Sequence, residues 1–333
     1  MKALRLTSTE GHDSAALADM ELPEPGAHEV RVKLQASALN HRELWIARGQ
    51  YPGMQLPCTM GCDGSGVIDA LGVDVSGPAL GTEVALYPGL KWGSSLEFPA
   101  PEFGLLGMPG PGTIAEYICV PAENAVAKPS SLSFEEAAAT GLAGLTAWRA
   151  LVTKARLRSG ERVFITGIGG GVATFALRFA VAFGATVFVS SGSGETLEKA
   201  AEWGASAGFN YNDPDWRKSV PKVTGGIDVV IDGAPAASYA NYSRALKMGA
   251  RVVVYGSTGG APITINAPEL FLKNVSLIGT NVGNLDEYKA MLAFVEQRQL
   301  RPAIDRSFAF ADAAAALQYL ATSHGFGKVT VTV

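Results

Sequence analysis

Apolar and polar positions divide the chain into a front part that alternates and a middle part that cycles between short apolar runs and helical stretches. Met1–Leu6 alternates and predicts a strand. Glu29–Ala38 alternates more clearly, with Val30, Val32 and Leu34 on one face and Arg31, Lys33 and Gln35 on the other. Glu21–Gly26 is a proline-marked turn, and Asn40–Arg48 reads as a short helix closed by Gly49 and Pro52. Strands are expected at Thr82–Tyr87 and Thr113–Val120. Between them, residues 88–112 form a long Pro/Gly-rich loop, a length usually kept for function or an interface.

Beyond Lys128–Ser133 the pattern changes. Ser133 fits a helix N-cap, with Glu136 at N3 completing a capping box. Strands are predicted over Val163–Thr166, Thr186–Ser190, Ile227–Asp232, Arg251–Tyr255 and Val275–Ile278. Helices are predicted over Val172–Phe183, Glu195–Glu202 and Tyr239–Leu246. That alternation implies a parallel, doubly wound α/β sheet. The tail reads as helices over Leu285–Gln297 and Phe310–Ala321, then a strand over Lys328–Val333.

The middle part is organised around Glu161–Ala173, where the apolar run Val163–Ile165 enters Gly169, Gly170 and Gly171 and a helical pattern follows at once. Strand, glycine turn and helix form the phosphate-cradling unit of dinucleotide-binding folds. Residues without Cβ let the backbone approach a pyrophosphate, and the helix N-terminus offers unpaired N–H groups and a partial positive charge. A glycine-rich turn with no ligand is the plainer alternative.

Composition narrows the field. At 333 residues, 47% hydrophobic and 17% charged, the chain is long enough for two core-rich domains. A net charge of −4 without a basic block argues against a general nucleic-acid binder. No segment reaches membrane-spanning length, and the opening residues lack the apolar core of a signal peptide. Three sparse cysteines, Cys58, Cys62 and Cys119, fit a reducing compartment, so a cytoplasmic location is expected. The four histidines, His12, His28, His41 and His324, form no obvious triad.

Taken in order, these pieces resemble the medium-chain dehydrogenase/reductase superfamily over essentially the whole chain. The likeness rests on G-x-D-G-x-G (Gly61, Asp63, Gly64, Gly66), GTIAEY at Gly112–Tyr117, the glycine turn, and FGK at Phe326–Lys328. It implies a GroES-like β-rich catalytic domain over 1–126 and 285–333, and a Rossmann doubly wound domain over 127–284. In zinc-dependent members the catalytic metal is held by a Cys, a His and a second Cys; here those positions fall on Asn40, Cys62 and Leu142. The four cysteines of a structural zinc lobe are missing from residues 88–112. Cys58, Cys62 and His41 have metal-compatible spacing but no evident fourth ligand, and buried thiols are the simpler reading. The zinc-free, quinone-oxidoreductase-like branch fits better. Its pattern appears as Asn40, Glu43, Trp45, Gly49, Tyr51 and Pro52, and its A-x-x-G-x-x-G loop as Gly167, Gly170 and Ala173.

The resemblance also supplies site expectations. Thr146, Gly167, Gly170, Gly171 and Val172 would bind the cofactor, with Gly256 and Ser257 at the nicotinamide riboside, Asn281 and Lys328 as further contacts, and Tyr211 beside the adenine. NAD enzymes place an acid where this chain has Ser191, whose hydroxyl can donate to a 2′-phosphate. NADP(H) is therefore expected, with Lys199, Arg217 or Lys218 as the basic partner. Relatives often carry that lysine at the position of Thr196, so the partner stays open. Without a metal, alcohol oxidation lacks support, whereas a quinone or an enone accepts hydride with less help. Asn40 would donate to the substrate oxygen, Trp45 and Tyr51 would wall the pocket, and Tyr51 would pass a proton. A zinc alcohol dehydrogenase and a non-catalytic NADPH-binding protein are the competing readings. The apolar strand Val275–Ile278 would pair across a two-fold axis in a homodimer.

Overall fold

The computed structural model describes residues 1–322 and 325–333, so His324 lies outside the described residues. Two compact units divide the chain. The first comprises Met1–Leu145, Gly283 through the last long helix, and Lys328–Val333; the second comprises Thr146–Val282 and Gly325–Gly327. The first crossover between the units comes between Leu145 and Thr146. The helix beginning at Phe134 packs Ala138 and Ala139 against Ala36 and Ala38, which ties its first turns to the front part.

The alternating front part folds into sheets that are antiparallel except where Ile304–Ala309 pairs with Lys328–Thr332 in parallel. The larger runs in the order Ala125–Ala127, Glu83–Leu86, Asp63–Leu71, Glu29–Leu39, Lys328–Thr332, Ile304–Ala309, with Tyr117–Pro121 also pairing with Glu29–Leu39. Val30, Val32 and Leu34 are buried as the alternation requires. Glu29–Leu39 is the hub. Its Ala38 registers with Asp63 on one side and its Leu39 with Val329 on the other. The next residue, Asn40, therefore leaves the sheet between Asp63 and Lys328, which each begin a neighbouring strand. The short helix His41–Ala47 follows. Within residues 88–112 the Trp92 indole N–H donates to the Ser95 carbonyl at 2.7 Å and its ring meets Phe103 edge-on, while Leu106 and Met108 pack into the cores of the front part.

The second unit is a six-stranded parallel sheet ordered Ala207–Asn210, Thr186–Ser191, Arg162–Ile165, Ile227–Asp232, Leu246–Val254, Ser276–Gly279. This is the doubly wound order 3-2-1-4-5-6, whose reversal lies between the first and fourth strands. Val163, Val187, Val229, Val230 and Val252 are fully buried, as both-face burial of a parallel sheet demands. Beside the reversal, buried Asp232 accepts from the Thr166, Ser238 and Tyr242 hydroxyls and the Ala234 N–H at 2.6–2.8 Å. Elements not predicted in this unit include the strand Ala207–Asn210, the helix Trp216–Thr224, which carries Pro221 in its interior, and the short helix Ala267–Leu272. The helix expected at Tyr239–Leu246 runs instead over Pro235–Tyr242, because Pro235 presets its first turn and Leu246 already belongs to a strand.

One local break matters for the site. The helical run Phe134–Trp148 departs from helical geometry at Gly141 (φ −43°, ψ −111°). A Cβ there would lie 2.3 Å from Asp63 Oδ1. Gly141→Ala should therefore cost about 1–3 kcal/mol through overpacking, lowering the thermal midpoint by roughly 2–4 °C per kcal/mol. A melting curve that matches the parent protein would contradict this account of the break.

Candidate active site

At the end of the hub strand, four polar side chains meet out of water. Asp63 is fully buried, and Asn40 and Lys328 are nearly so. Lys328 Nζ donates to Asn40 Oδ1 at 2.5 Å and to Asp63 Oδ2 at 3.2 Å. Asn40 Nδ2 donates to Asp63 Oδ2 at 2.8 Å and approaches Cys62 Sγ at 3.4 Å. The amide orientation follows from charge: its oxygen must face the ammonium and its nitrogen the carboxylate. The other carboxylate oxygen, Asp63 Oδ1, accepts the Leu142 N–H at 2.7 Å, a group released by the break at Gly141. A buried ion pair is tolerable only when its remaining valences are satisfied in this way, and removing one partner typically costs about 3–5 kcal/mol.

A second layer supports the first. The Asn40 N–H is capped by Glu43 Oε2 at 2.6 Å, and Glu43 is also bonded to Arg42. Burial pushes the Glu43 carboxyl up, against the pull of Arg42. The Arg42 guanidinium donates to the Leu106 carbonyl and lies 4.9 Å from the centre of the Tyr51 ring. Tyr51 is thus placed as a wall over Arg42. Trp45 is 40% exposed beside Arg48, so it is not a core residue of its helix.

The three positions where relatives carry zinc ligands do not make a zinc site here. Asn40 and Cys62 are bonded to their neighbours, Leu142 offers no donor side chain, and an ammonium already occupies the cluster. Burial, then the carboxylates of Asp63 and Glu43, push the Cys62 thiol well above its usual range, so it is held as a neutral thiol, not a metal-binding thiolate. Among the described residues, no group of three or more His, Cys, Asp or Glu is placed to hold a metal ion.

In the second unit the residues expected at the cofactor gather at the carboxyl ends of the parallel strands, where doubly wound sheets bind ligands. Gly167–Val172 follows the first strand, Ser191 ends the second, Gly256 and Ser257 follow the fifth, and Asn281 follows the sixth. Gly170 is the N-cap of the helix Gly171–Ala182 with φ −69°, a value open to any residue. Among the described residues, a Cβ on Gly170 would meet no atom within 4 Å. Neither backbone nor packing demands glycine there, whereas a pyrophosphate on the helix N-terminus would. The turn therefore fits a dinucleotide. The Ser191 hydroxyl is buried and accepts the Ser193 N–H at 3.2 Å. The Tyr211 ring covers Gly192 and stays half-exposed. Lys199 pairs with Glu195 one turn away at 2.8 Å, and Lys218 with Asp215 at 2.6 Å. Thr146 is buried where the second unit begins.

Sequence reasoning thus located Asn40 but not its partners. Asp63 was noticed only as part of a glycine motif, although it is a lone carboxylate within the uncharged run Met60–Ile68. Lys328 was assigned to the cofactor; the structure turns its ammonium onto Asn40 and Asp63.

A doubly wound unit with a ligand-facing glycine turn defines a dinucleotide-binding protein, and the comparisons specify which kind. Residues 26–130 match the alcohol dehydrogenase GroES-like domain, and residues 171–297 match the family described as zinc-binding dehydrogenase. The zinc-type alcohol dehydrogenase-like protein YogA of Leptosphaeria maculans is 37% identical, over 93% of this chain and 92% of its own. The quinone oxidoreductase of Mus musculus is 29% identical, over 98% and 96%. A crystal structure described as an NAD-dependent alcohol dehydrogenase is 36% identical, with a TM-score of 0.94 and full coverage of both chains. The chain belongs to the medium-chain dehydrogenase/reductase superfamily, whose oxidoreductases bind a nicotinamide cofactor. No described helix is long and apolar enough to cross a membrane.

The cysteines offer a direct check on the site's electrostatics. Burial raises Cys58 and Cys62, and raises Cys119 to about 11. A raised thiol pKa means that little reactive thiolate exists until the pH exceeds it. Iodoacetamide at pH 8.5 should leave all three unmodified in the native protein and modify all three after denaturation, as read by intact mass. Rapid native labelling of Cys62 would contradict the burial of the cluster.

Proposed function

We propose that the protein is an NADPH-dependent, zinc-independent oxidoreductase that transfers hydride to a quinone or to an alkene conjugated with a carbonyl. The observation that carries this reading is the side-chain set at the end of the hub strand: an amide (Asn40), a thiol (Cys62) and a leucine (Leu142) stand at the three positions where zinc-dependent relatives carry metal ligands, and the Lys328 ammonium is bonded to the first of them. Alcohol oxidation needs a metal or a positioned base to take the hydroxyl proton. Electron-poor acceptors need only orientation and a donor for the oxygen on which charge develops. The similarity to quinone oxidoreductases supports the same choice.

The glycine turn, Thr146, Val172, Tyr211, Gly256, Ser257 and Asn281 would hold the dinucleotide. Bound NADPH supplies the hydride. Ser191 stands where NAD enzymes carry an acid, so nothing repels a 2′-phosphate. Lys199 is the nearest basic candidate in the following helix, and it would have to leave Glu195 to meet that phosphate. In unit one, Tyr51 and Trp45 would shape the acceptor pocket over a rigid polar floor. We place the enzyme in the cytoplasm, and as a homodimer because the edge strand Ser276–Gly279 leaves Leu277 exposed, as are Phe271 and Leu272 in the preceding helix. A second reading, an NAD-dependent alcohol dehydrogenase, draws on relatives of that description.

Assays with NADPH against a panel of quinones and enones should show turnover that survives chelator treatment, with NADH at least about tenfold less effective, the discrimination expected of a site tuned to the 2′-phosphate. Chelator-sensitive alcohol oxidation with NAD would establish the second reading instead. Separately, Gly170→Ala should leave the melting temperature unchanged while weakening NADPH binding by about tenfold or more, since it removes room for the ligand alone. Unaltered NADPH affinity in that variant would mean that the turn does not seat the pyrophosphate.

A further inference from the structure

We propose that Lys328 is the residue that holds the substrate's oxygen and gives it a proton, with Asn40 and Asp63 positioning its ammonium. The inference rests on the hydride-acceptor reading above. It departs from the expectation that Asn40 is the donor and that Lys328 serves the cofactor.

The argument is an inventory of hydrogens. An asparagine amide has two N–H groups, and those of Asn40 face Asp63 Oδ2 and Cys62 Sγ. Its oxygen is taken by Lys328. Asn40 is thus spent on organising its neighbours. An ammonium has three N–H groups, and the two bonds that Lys328 makes, to Asn40 Oδ1 and Asp63 Oδ2, leave one for a ligand. The two bonded acceptors, Asn40 just past the end of the hub strand and Asp63 at the start of its neighbour, fix the direction of the third hydrogen. The cluster is not sunk at the centre of its unit. His41, next to Asn40, and Trp45, one helical turn further, are both exposed. The Tyr51 side chain lies against the Arg42 guanidinium.

The step balances as follows. Bound NADPH would supply the hydride for a new C–H bond on the alkene carbon and would itself be oxidised. The alkene π electrons shift toward the carbonyl, whose oxygen becomes an enolate. An Nζ–H bond of Lys328 breaks, an O–H bond forms, and the electron pair stays on nitrogen as a neutral amine. Water returns the proton to Lys328, and the enol product relaxes to the ketone. For a quinone the same proton completes the hydroquinone. Before transfer, the ammonium stabilises the developing oxyanion, which is the electrostatic service a metal renders in zinc-dependent relatives.

Two substitutions test this in the full-length protein. Lys328→Gln removes the charge and the acid. Lys328→Arg keeps a cation against Asp63, and so a folded cluster, but holds a proton that does not leave near neutral pH. Both should lower kcat with an enone or quinone by about 10²-fold or more, the usual reach of a positioned general acid. The NADPH Kd, measured by fluorescence, should change by less than about threefold. Asn40→Ala should lower kcat less and enlarge the solvent deuterium isotope effect, because a misdirected ammonium makes proton transfer slower; a merely structural role would leave that effect alone. If Lys328→Gln does not fold, the arginine variant decides. Variants with parental kcat but weakened NADPH binding assign Lys328 to the cofactor and overturn the proposal. An inert parent enzyme across the panel defeats the acceptor reading and this inference together, whereas an active parent with unaffected Lys328 variants defeats only the inference.

Discussion

The structure of the first unit depends on keeping one buried ammonium electrically and geometrically satisfied. Lys328 sits in a sheet interior where an unpaired charge would be intolerable, and Asp63 answers it across the width of one strand. Asn40 fills the gap between them with a group that is acceptor on one side and donor on the other. The arrangement needs three strands in one register, a chain that leaves the sheet exactly after Leu39, and a helix that breaks where a side chain would strike Asp63. Much of the front domain's detail is the set of conditions under which that charge can be buried.

The second unit solves a related problem differently. Its buried carboxylate, Asp232, is bonded to three hydroxyls and one backbone N–H. Neutral donors suit a group whose task is to hold neighbouring strand ends and the following helix in place at the reversal of strand order. A cation suits a group that must respond to charge arriving nearby. The two aspartates, equally buried, thus differ in their partners, neutral donors in one case and a cation in the other, and we assign only the second a part in chemistry.

The sequence made the sheets legible where residue alternation or a glycine turn carried the signal. Glu29–Ala38 and Glu161–Ala173 are both read correctly from local pattern. Ala207–Asn210 was missed because four residues with Gly208 among them carry too little periodicity, and Trp216–Thr224 because Pro221 argues against a helix interior. The cluster was half legible. Asn40 stood out by its place in a motif, but its ties to Asp63 and Lys328 span 23 and 288 residues and arise only from strand register. No local pattern encodes such a meeting. Lys328 was read through the family likeness as a cofactor contact, and nothing in its local sequence signals that it is buried.

Gly141 and Gly170 look alike in the sequence but answer to different masters. The first lacks a side chain because Asp63 occupies the space, so the demand comes from the protein itself. The second lacks one although nothing in the described protein would touch it. The two positions therefore keep separate records. A descendant of this chain that gave up its nucleotide but kept its fold would be free to fill position 170, while position 141 would stay as it is.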